Sequence, residues 1–206
     1  MYKDIILILI IITIFYYMYK PDTNKYIKAD NNKQYKVQES FNSEIKANML
    51  SELDIKIRKI VENMKNNDLP NKEIADRTYS KMLNIELREI PKNENGAGYT
   101  INKSHIYLCL YNKDTNKLNV IDDVMFVLLH EVAHIMSLSF GHGEEFKKNF
   151  DFIVKLAVKL NLWNKKDYSE DNVNICGVNV TNGNCDNGAC EKDKLNYFFK
   201  ESLLDY

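Results

Sequence analysis

The sequence is poor in residues that break regular structure, with 7 glycines and 3 prolines among 206 residues. This scarcity excludes a collagen-like chain and argues against a loop-rich scaffold or a chain dominated by linkers. Charge of one sign is lacking too: the formal net charge is −1, so no overall field draws the protein to nucleic acid or acidic lipid. What is present, 45% hydrophobic and 28% charged residues, is the composition of a globular protein.

Cysteine is also scarce, and the four cysteines are Cys109, Cys176, Cys185 and Cys190. No two of them form a C-x-x-C pair, which argues against a zinc ribbon or a thioredoxin-type site. Three lie in the polar segment NICGVNVTNGNCDNGAC, close enough for a disulfide in an oxidising compartment. An even number permits three pairings without selecting one, and free thiols in a reducing compartment are the alternative.

One long apolar run stands at the N-terminus, where residues 5–19 read IILILIIITIFYYMY without a charge. A helix of this length spans roughly 22 Å, less than the ~30 Å hydrocarbon core. Lys3 and Lys20 can extend it by snorkelling, and the tyrosines near its end suit the membrane interface. A cleaved signal peptide is the alternative, but FYYMYKPD lacks the small residues of a cleavage site. We therefore expect residues 1–20 to form an uncleaved single-pass anchor in a membrane.

The side of the membrane on which the rest of the chain lies stays open. Lys20, Lys25 and Lys28 follow the apolar run and only Lys3 precedes it, which favours a cytosolic body by the positive-inside rule. The glycosylation sequons at Asn102 and Asn179 favour the opposite side, although such triplets arise easily in an Asn-rich chain.

Behind the anchor we expect a polar tether at residues 21–41, a folded domain at 42–165 and a Cys/Asn-containing tail at 166–206. Apolar residues at helical spacing predict one helix from Asn42 or Ser43 to about Met64 and a second after Pro70-Asn71. The runs NIELREI, GAGYTIN and SHIYLCLY predict short strands. The segregated helices and strands predict an α+β fold with a small, mainly antiparallel sheet.

Three of the four histidines fall within LLHEVAHIMSLSFGHGEEF, residues 128–146. We expect a helix, capped by Asp122 or Asp123, that runs to about Leu138, then a break, then a second helix from Glu144-Glu145. The apolar residues of the second helix, Phe146 first among them, should pack beneath the histidines.

His130 and His134 stand four residues apart, so on a helix both imidazoles point from one face and can share a metal ion. Glu131 lies about 100° around the helix and can reach a water near the metal without being a ligand. A catalytic zinc site needs a third protein ligand. Between Gly141 and Gly143, His142 can turn back towards the ion, and Glu144 and Glu145 are rival ligands.

HEVAH followed by GHGEEF resembles the SprT-like and WLM-type zinc metallopeptidases, over roughly Asn42 to Trp163. The resemblance implies a zincin-like domain, zinc ligands His130, His134 and His142, and Glu131 as general base. The chain also resembles short membrane-anchored members of this group in large DNA viruses. This likeness implies a viral protein in a viral or host membrane. Since the chain has no concentrated basic patch, nucleic acid is not expected as a partner.

The sequence therefore predicts a membrane-tethered zinc peptidase that acts on a peptide or protein substrate. An inert, zinc-stabilised and membrane-tethered binding module is the alternative, and hydrolysis of another amide, such as a cell-wall peptide, is a third reading. The strand SHIYLCLY could bind an extended substrate by edge pairing. His105 or Tyr107 could hold an oxyanion, although plain strand residues are the better interpretation of both.

Overall fold

The computed structural model describes residues 24–101, 104–112, 115, 117–168 and 173–180, together with Ile6 and Ile10. The expected membrane anchor therefore lies outside the described residues except for Ile6 and Ile10. Among the residues described, none of the helices has the length and apolar character needed to cross a membrane.

Four helices stand in the described part of the chain, and together with the strands they make the fold α+β. They are α1 (Ser43–Asn66), α2 (Lys72–Met82), α3 (Ile121–Met136) and α4 (Glu144–Lys159). The two N-terminal helices were predicted, and Asn71 caps α2 by accepting a hydrogen bond from the backbone amide of Ile74 at 3.0 Å.

Five strands form the principal sheet: β1 (Asn24–Lys28), β2 (Gln34–Gln38), β3 (Glu86–Glu89), β4 (Gly98–Ile101) and β5 (His105–Leu108). Their order across the sheet is β1-β2-β3-β5-β4. The outer pairs β1/β2 and β4/β5 are antiparallel, whereas β2/β3 and β3/β5 are parallel. The sheet is therefore mixed, and the expectation of a mainly antiparallel sheet was wrong. The expected substrate strand, β5, lies inside the sheet, and β4 forms the edge.

The stretch expected to be a polar tether, residues 21–41, contains the β1/β2 hairpin instead. Tyr35 and Val37 alternate with polar residues in β2, and their side chains are 5% and 0% exposed. Two apolar residues in a polar context are a weak signal for a strand. The pairing partner of β2 outside the hairpin is β3, about 50 residues further along, so composition alone pointed to a linker.

Helix α3 begins differently from the expectation. Val120 occupies the N-cap position and no side chain caps the helix, so the prediction of a cap at Asp122 or Asp123 was wrong. The carboxylate of Asp123 is buried and accepts hydrogen bonds from Lys166 Nζ and the Tyr168 hydroxyl, each at 2.9 Å. A charged group buried in this way needs such partners, and the sequence near Asp123 does not predict these two.

The strand β4 approaches α3 so closely that only glycine fits at one position. A Cβ atom added to Gly98 would lie 2.6 Å from Val127 Cγ1 and 3.1 Å from the Tyr107 carbonyl oxygen. The contact between α3 and the sheet is tightly packed here, as the almost complete burial of Val127, Leu108 and Ile106 shows. Gly98 therefore sets the distance between the sheet edge and the helix that carries the motif.

The chain after α4 is attached to the domain at two places. Trp163 and Tyr168 are buried beside Phe126 of α3, with ring centroids 5.6 and 4.6 Å from it. Earlier in the chain, strands β6 (Tyr111–Asn112) and β7 (Lys117–Leu118) pair as a small hairpin. Beyond Tyr168, strands β8 (Val173–Ile175) and β9 (Val178–Val180) form a second, C-terminal hairpin. Cys109 and Cys176 form a disulfide between the end of β5 and the C-terminal hairpin. The described residues of the predicted tail, 166–168 and 173–180, are therefore part of the fold.

A buried ion pair joins α1 to the sheet. Lys46 Nζ lies 2.9 Å from Glu89 Oε1, and the two side chains are 2% and 0% exposed. The other carboxylate oxygen of Glu89 accepts the backbone amide of Gln38 at 2.6 Å, and Lys46 Nζ lies 5.4 Å from the centre of the Tyr111 ring. The pair thus connects α1, β3 and the end of β2.

Removal of one partner should be costly, because it leaves a buried charge without compensation. We expect Lys46→Met to lower the free energy of unfolding by about 3–5 kcal/mol in urea titrations. The matched control is Lys25→Met, which breaks the Lys25–Glu39 pair at 2.6 Å, where both side chains are mostly exposed. That variant should lose less than about 1 kcal/mol. Equal losses in the two variants would show that the buried pair has no special importance.

Candidate metal centre

The three histidines of the motif come together at one point. The Nε2 atom of His130 lies 3.0 Å from that of His142 and 3.2 Å from that of His134. His134 and His142 are also separated by 3.2 Å between their Nε2 atoms. Among the described residues, this trio is the group of ligand-type side chains that could hold a metal ion.

Local geometry explains how the trio forms. His130 and His134 lie one turn apart on α3, so their rings leave the helix from the same face. The chain then leaves the helix at Met136 and reverses before α4 begins at Glu144. Gly141 has a φ of +73°, which is the left-handed region that other residues avoid, and it directs His142 back over α3.

Phe146 forms the apolar base of the cluster, as the sequence predicted. Its ring centroid lies 4.7 Å from that of His130, 4.3 Å from His134 and 4.7 Å from His142. Phe146 is 2% exposed, and Phe150 lies one turn further along α4, 5.3 Å from the His130 ring. The imidazoles are thus held on one side by aromatic rings, while His134 and His142 stay partly accessible to solvent.

Burial keeps the imidazole of His130 in the form that binds metals. Desolvation lowers the pKa of His130 well below its ordinary value, and repulsion from His134 and His142 acts in the same direction. A neutral imidazole has a lone pair available for a metal ion, whereas an imidazolium does not. His130 is therefore ready to act as a ligand at neutral pH without first losing a proton.

Glu131 is buried beside the trio, with 3% of its surface exposed. Its Oε2 atom accepts a hydrogen bond of 2.7 Å from the Thr100 hydroxyl on β4. Burial raises the pKa of Glu131 to about 7, and the bond from Thr100 opposes that rise. A carboxyl group with a pKa near neutrality can both accept and donate a proton, as a general base and acid must.

The rival third ligands are occupied elsewhere. Glu145 accepts hydrogen bonds from the backbone amides of Leu138 and Ser139 at 2.8 and 2.9 Å, and from the Ser139 hydroxyl at 2.6 Å. These bonds lower the pKa of Glu145 to about 2. The Glu144 side chain is 81% exposed and lies 3.4 Å from Lys147 Nζ. His142 is thus the member of this segment that joins the other two histidines.

The structure does not bring His105 or Tyr107 to the site. In β5 they alternate with Ile106 and Leu108, which are fully buried beneath the helices. Thr100 pairs with Ile106 and therefore shares the helix-facing side of the sheet with it. His105 and Tyr107 lie on the opposite face.

Thr100 is the residue of the site that the sequence did not predict. It stands 31 positions before Glu131 in a short strand, and its neighbours in the chain are ordinary strand residues. Strand alternation could have placed Thr100 on the helix-facing side, but only once the pairing of β4 with β5 was known.

The trio fits a zinc ion by distance and by chemistry. Four ligands in a tetrahedron at about 2.0–2.1 Å from zinc are separated from one another by about 3.3–3.4 Å. The three distances between Nε2 atoms are 3.0, 3.2 and 3.2 Å, close to that edge length. Three imidazole nitrogens also leave one position of the tetrahedron open, which is the pattern of catalytic zinc sites.

Fold and site together define an α+β protein with a three-histidine candidate metal centre. The chain belongs to the family of uncharacterized protein R325 of Acanthamoeba polyphaga mimivirus, to which it is 30% identical over 184 residues, 85% of this chain and 92% of the viral protein. Uncharacterized protein 136R of Invertebrate iridescent virus 6 is 35% identical over 86 residues, 41% of this chain and 46% of that protein. The chain is therefore related to viral proteins.

The crystal structure of Wss1 from Saccharomyces cerevisiae is 23% identical and covers 44% of this chain and 76% of its own, but the TM-score of 0.34 is too low to establish a common fold. No model of a known protein family matches the chain.

His142 should be essential for tight metal binding. We expect His142→Ala to lower zinc affinity by at least about a hundredfold, because two imidazoles remain where a stable site needs three protein ligands. Competition with a chromophoric chelator measures the dissociation constant. The control is His105→Ala, which removes the histidine on the opposite face of the sheet and should leave the affinity unchanged. Full affinity in His142→Ala would exclude His142 as the third ligand.

Proposed function

We propose that this chain is a zinc-dependent peptidase that hydrolyses peptide bonds at the three-histidine centre. The observation that carries the proposal is the convergence of His130, His134 and His142 within 3.2 Å beside the buried carboxylate of Glu131. A metal that only stabilises the fold would not require a buried carboxyl group with a raised pKa next to the site.

His130, His134 and His142 would hold the zinc ion through their Nε2 atoms. Bound there, zinc supplies Lewis acidity, which makes a nearby water more acidic and stabilises negative charge on a polarised carbonyl oxygen. Glu131 takes the proton from the attacking water and then transfers it to the nitrogen of the departing amine. The hydrogen bond from Thr100 orients the carboxylate for both transfers.

The strand β4 is the place where an extended substrate would bind. It forms the edge of the sheet, and its residue Thr100 contacts Glu131. A peptide that adds to this edge as a further strand would run past the catalytic carboxylate, with main-chain hydrogen bonds providing affinity. Binding through the main chain suits a peptide or protein substrate better than a small amide.

We also propose that the apolar run at residues 5–19 tethers the peptidase to a membrane, since it is uncharged throughout and flanked by lysines. The disulfide between Cys109 and Cys176 supports an oxidising environment for the domain, which favours the side of the membrane away from the reducing cytosol.

Substitution of the base separates the peptidase from an inert zinc module. We expect Glu131→Gln to retain zinc, because the three ligands are unchanged, and to lower the rate of peptide hydrolysis by about 10²–10⁴-fold, because the proton acceptor is lost. Zinc content is measured by atomic emission and cleavage with fluorogenic peptides and unfolded casein. Glu52→Gln, on the exposed side of α1, is the control. Undiminished cleavage by Glu131→Gln would refute the proposed role of Glu131.

Thr100 should affect the rate of the reaction rather than substrate affinity. In Thr100→Val the shape of the side chain is kept but the hydroxyl is lost, so Glu131 loses the bond that orients it. We expect kcat to fall roughly ten- to a hundredfold, since a hydrogen bond to a charged group contributes about 1.5–3 kcal/mol. KM should change little, and Thr100→Ser should restore most of the rate. A Thr100→Val enzyme with unchanged kcat would contradict this role.

A further inference from the structure

The carboxylate of Glu145 accepts hydrogen bonds from the start of the segment that carries His142. Residues 137–143 connect α3 to α4, and Glu145 stands in the first turn of α4. One of its oxygens accepts the amide of Leu138 at 2.8 Å, and the other accepts the amide of Ser139 at 2.9 Å and its hydroxyl at 2.6 Å. The start of the connecting segment is therefore bound to the helix that follows it, with His142 between the two points.

A second bond holds the same segment from one turn further along α4. Asn149 Nδ2 donates to Ser137 Oγ at 3.0 Å, and that hydroxyl donates to the carbonyl oxygen of Ala133 at 2.8 Å. Asn149 and Ser137 are both buried. Glu145 and Asn149 are four residues apart, so they lie on one face of α4 and bind neighbouring positions of the segment.

Burial of apolar side chains contributes little to the position of this segment. Leu138 is 63% exposed and Phe140 is 82% exposed, although both are large and apolar. The polar contacts from α4 therefore help to hold the backbone of the segment in place. A carboxylate that accepts backbone amides is a strong choice, because hydrogen bonds to a charged acceptor are about twice as strong as those between neutral groups.

We infer that Glu145 is a positioning residue for the metal centre: its hydrogen bonds to Leu138 and Ser139 hold the segment in the shape that brings His142 against His130 and His134. This inference rests on the metal-binding part of the proposed function. Without those bonds the segment would have to be ordered when the metal binds, and the loss of conformational entropy would weaken binding. Substitution of residues that orient metal ligands in this way commonly lowers metal affinity by about 10–100-fold.

The chain provides a matched control beside Glu145. Glu144 is the preceding residue, carries the same side chain in the same helical turn, and is 81% exposed with its carboxylate near Lys147. Glu144→Gln and Glu145→Gln remove the same charge from the same end of α4. Only Glu145→Gln puts an NH₂ group, which cannot accept a hydrogen bond, in place of one of the two oxygens that accept the amides of Leu138 and Ser139.

The experiment compares the zinc dissociation constants of the full-length wild type, Glu144→Gln and Glu145→Gln by competition with a chromophoric chelator. We expect Glu145→Gln to bind zinc about 10–100-fold more weakly and Glu144→Gln to bind as the wild type does. The visible spectrum of the cobalt(II)-loaded proteins provides a second readout, because its intensity reports the coordination geometry. It should change in Glu145→Gln alone, while circular dichroism of the metal-free proteins stays the same.

Two results would overturn the inference. Wild-type zinc affinity in Glu145→Gln would show that the pair of hydrogen bonds to the two carboxylate oxygens does not position His142. Equal weakening in both variants would assign the effect to the negative charge at the end of α4. Failure of the proposed function looks different: a wild type that binds zinc with this dependence on Glu145 but cleaves no peptide would remove the peptidase and leave the inference intact. A wild type that binds no zinc would remove both.

Discussion

The packing of helix α3 is the constraint on which the candidate site depends. The helix is in contact with the sheet edge through Gly98 and Val127, and Phe146 of α4 lies against its histidines. At its C-terminal end the carbonyl oxygen of Met136 accepts a hydrogen bond of 2.6 Å from Arg77 on α2. Because α3 is enclosed on these sides, His130 and His134 have fixed positions, and the other components of the site are placed relative to them.

Each remaining functional group is brought to α3 by a different neighbour. Thr100 reaches Glu131 from the edge strand, whereas His142 comes from the segment between α3 and α4 that Glu145 binds. Both contacts orient a group before any substrate or metal arrives, so that binding does not have to order it. In the proposed function an extended peptide would add to the same edge strand that holds the carboxylate, so that base and substrate would lie side by side.

Periodicity was enough to predict the helices, because their apolar residues recur within one or two turns of the same segment. It was not enough for β2, where Tyr35 and Val37 are the buried residues and the partner strand β3 is distant in the chain. Asp123 shows the same limit in another way. It stood at a suitable position for a cap, but contacts with Lys166 and Tyr168 decided its role.

The sequence by itself determined that His130, Glu131 and His134 share one helix, since the spacing of four residues fixes their directions wherever the helix lies. It also favoured a turn at Gly141, and hence a return of His142 towards that helix. Only the tertiary structure decided that Thr100 meets Glu131, that β4 rather than β5 forms the edge, and that Glu145 binds the connecting segment instead of joining the histidines. Helical spacing is a property of the local backbone, whereas those contacts arise from elements whose relative positions are set by packing and strand pairing.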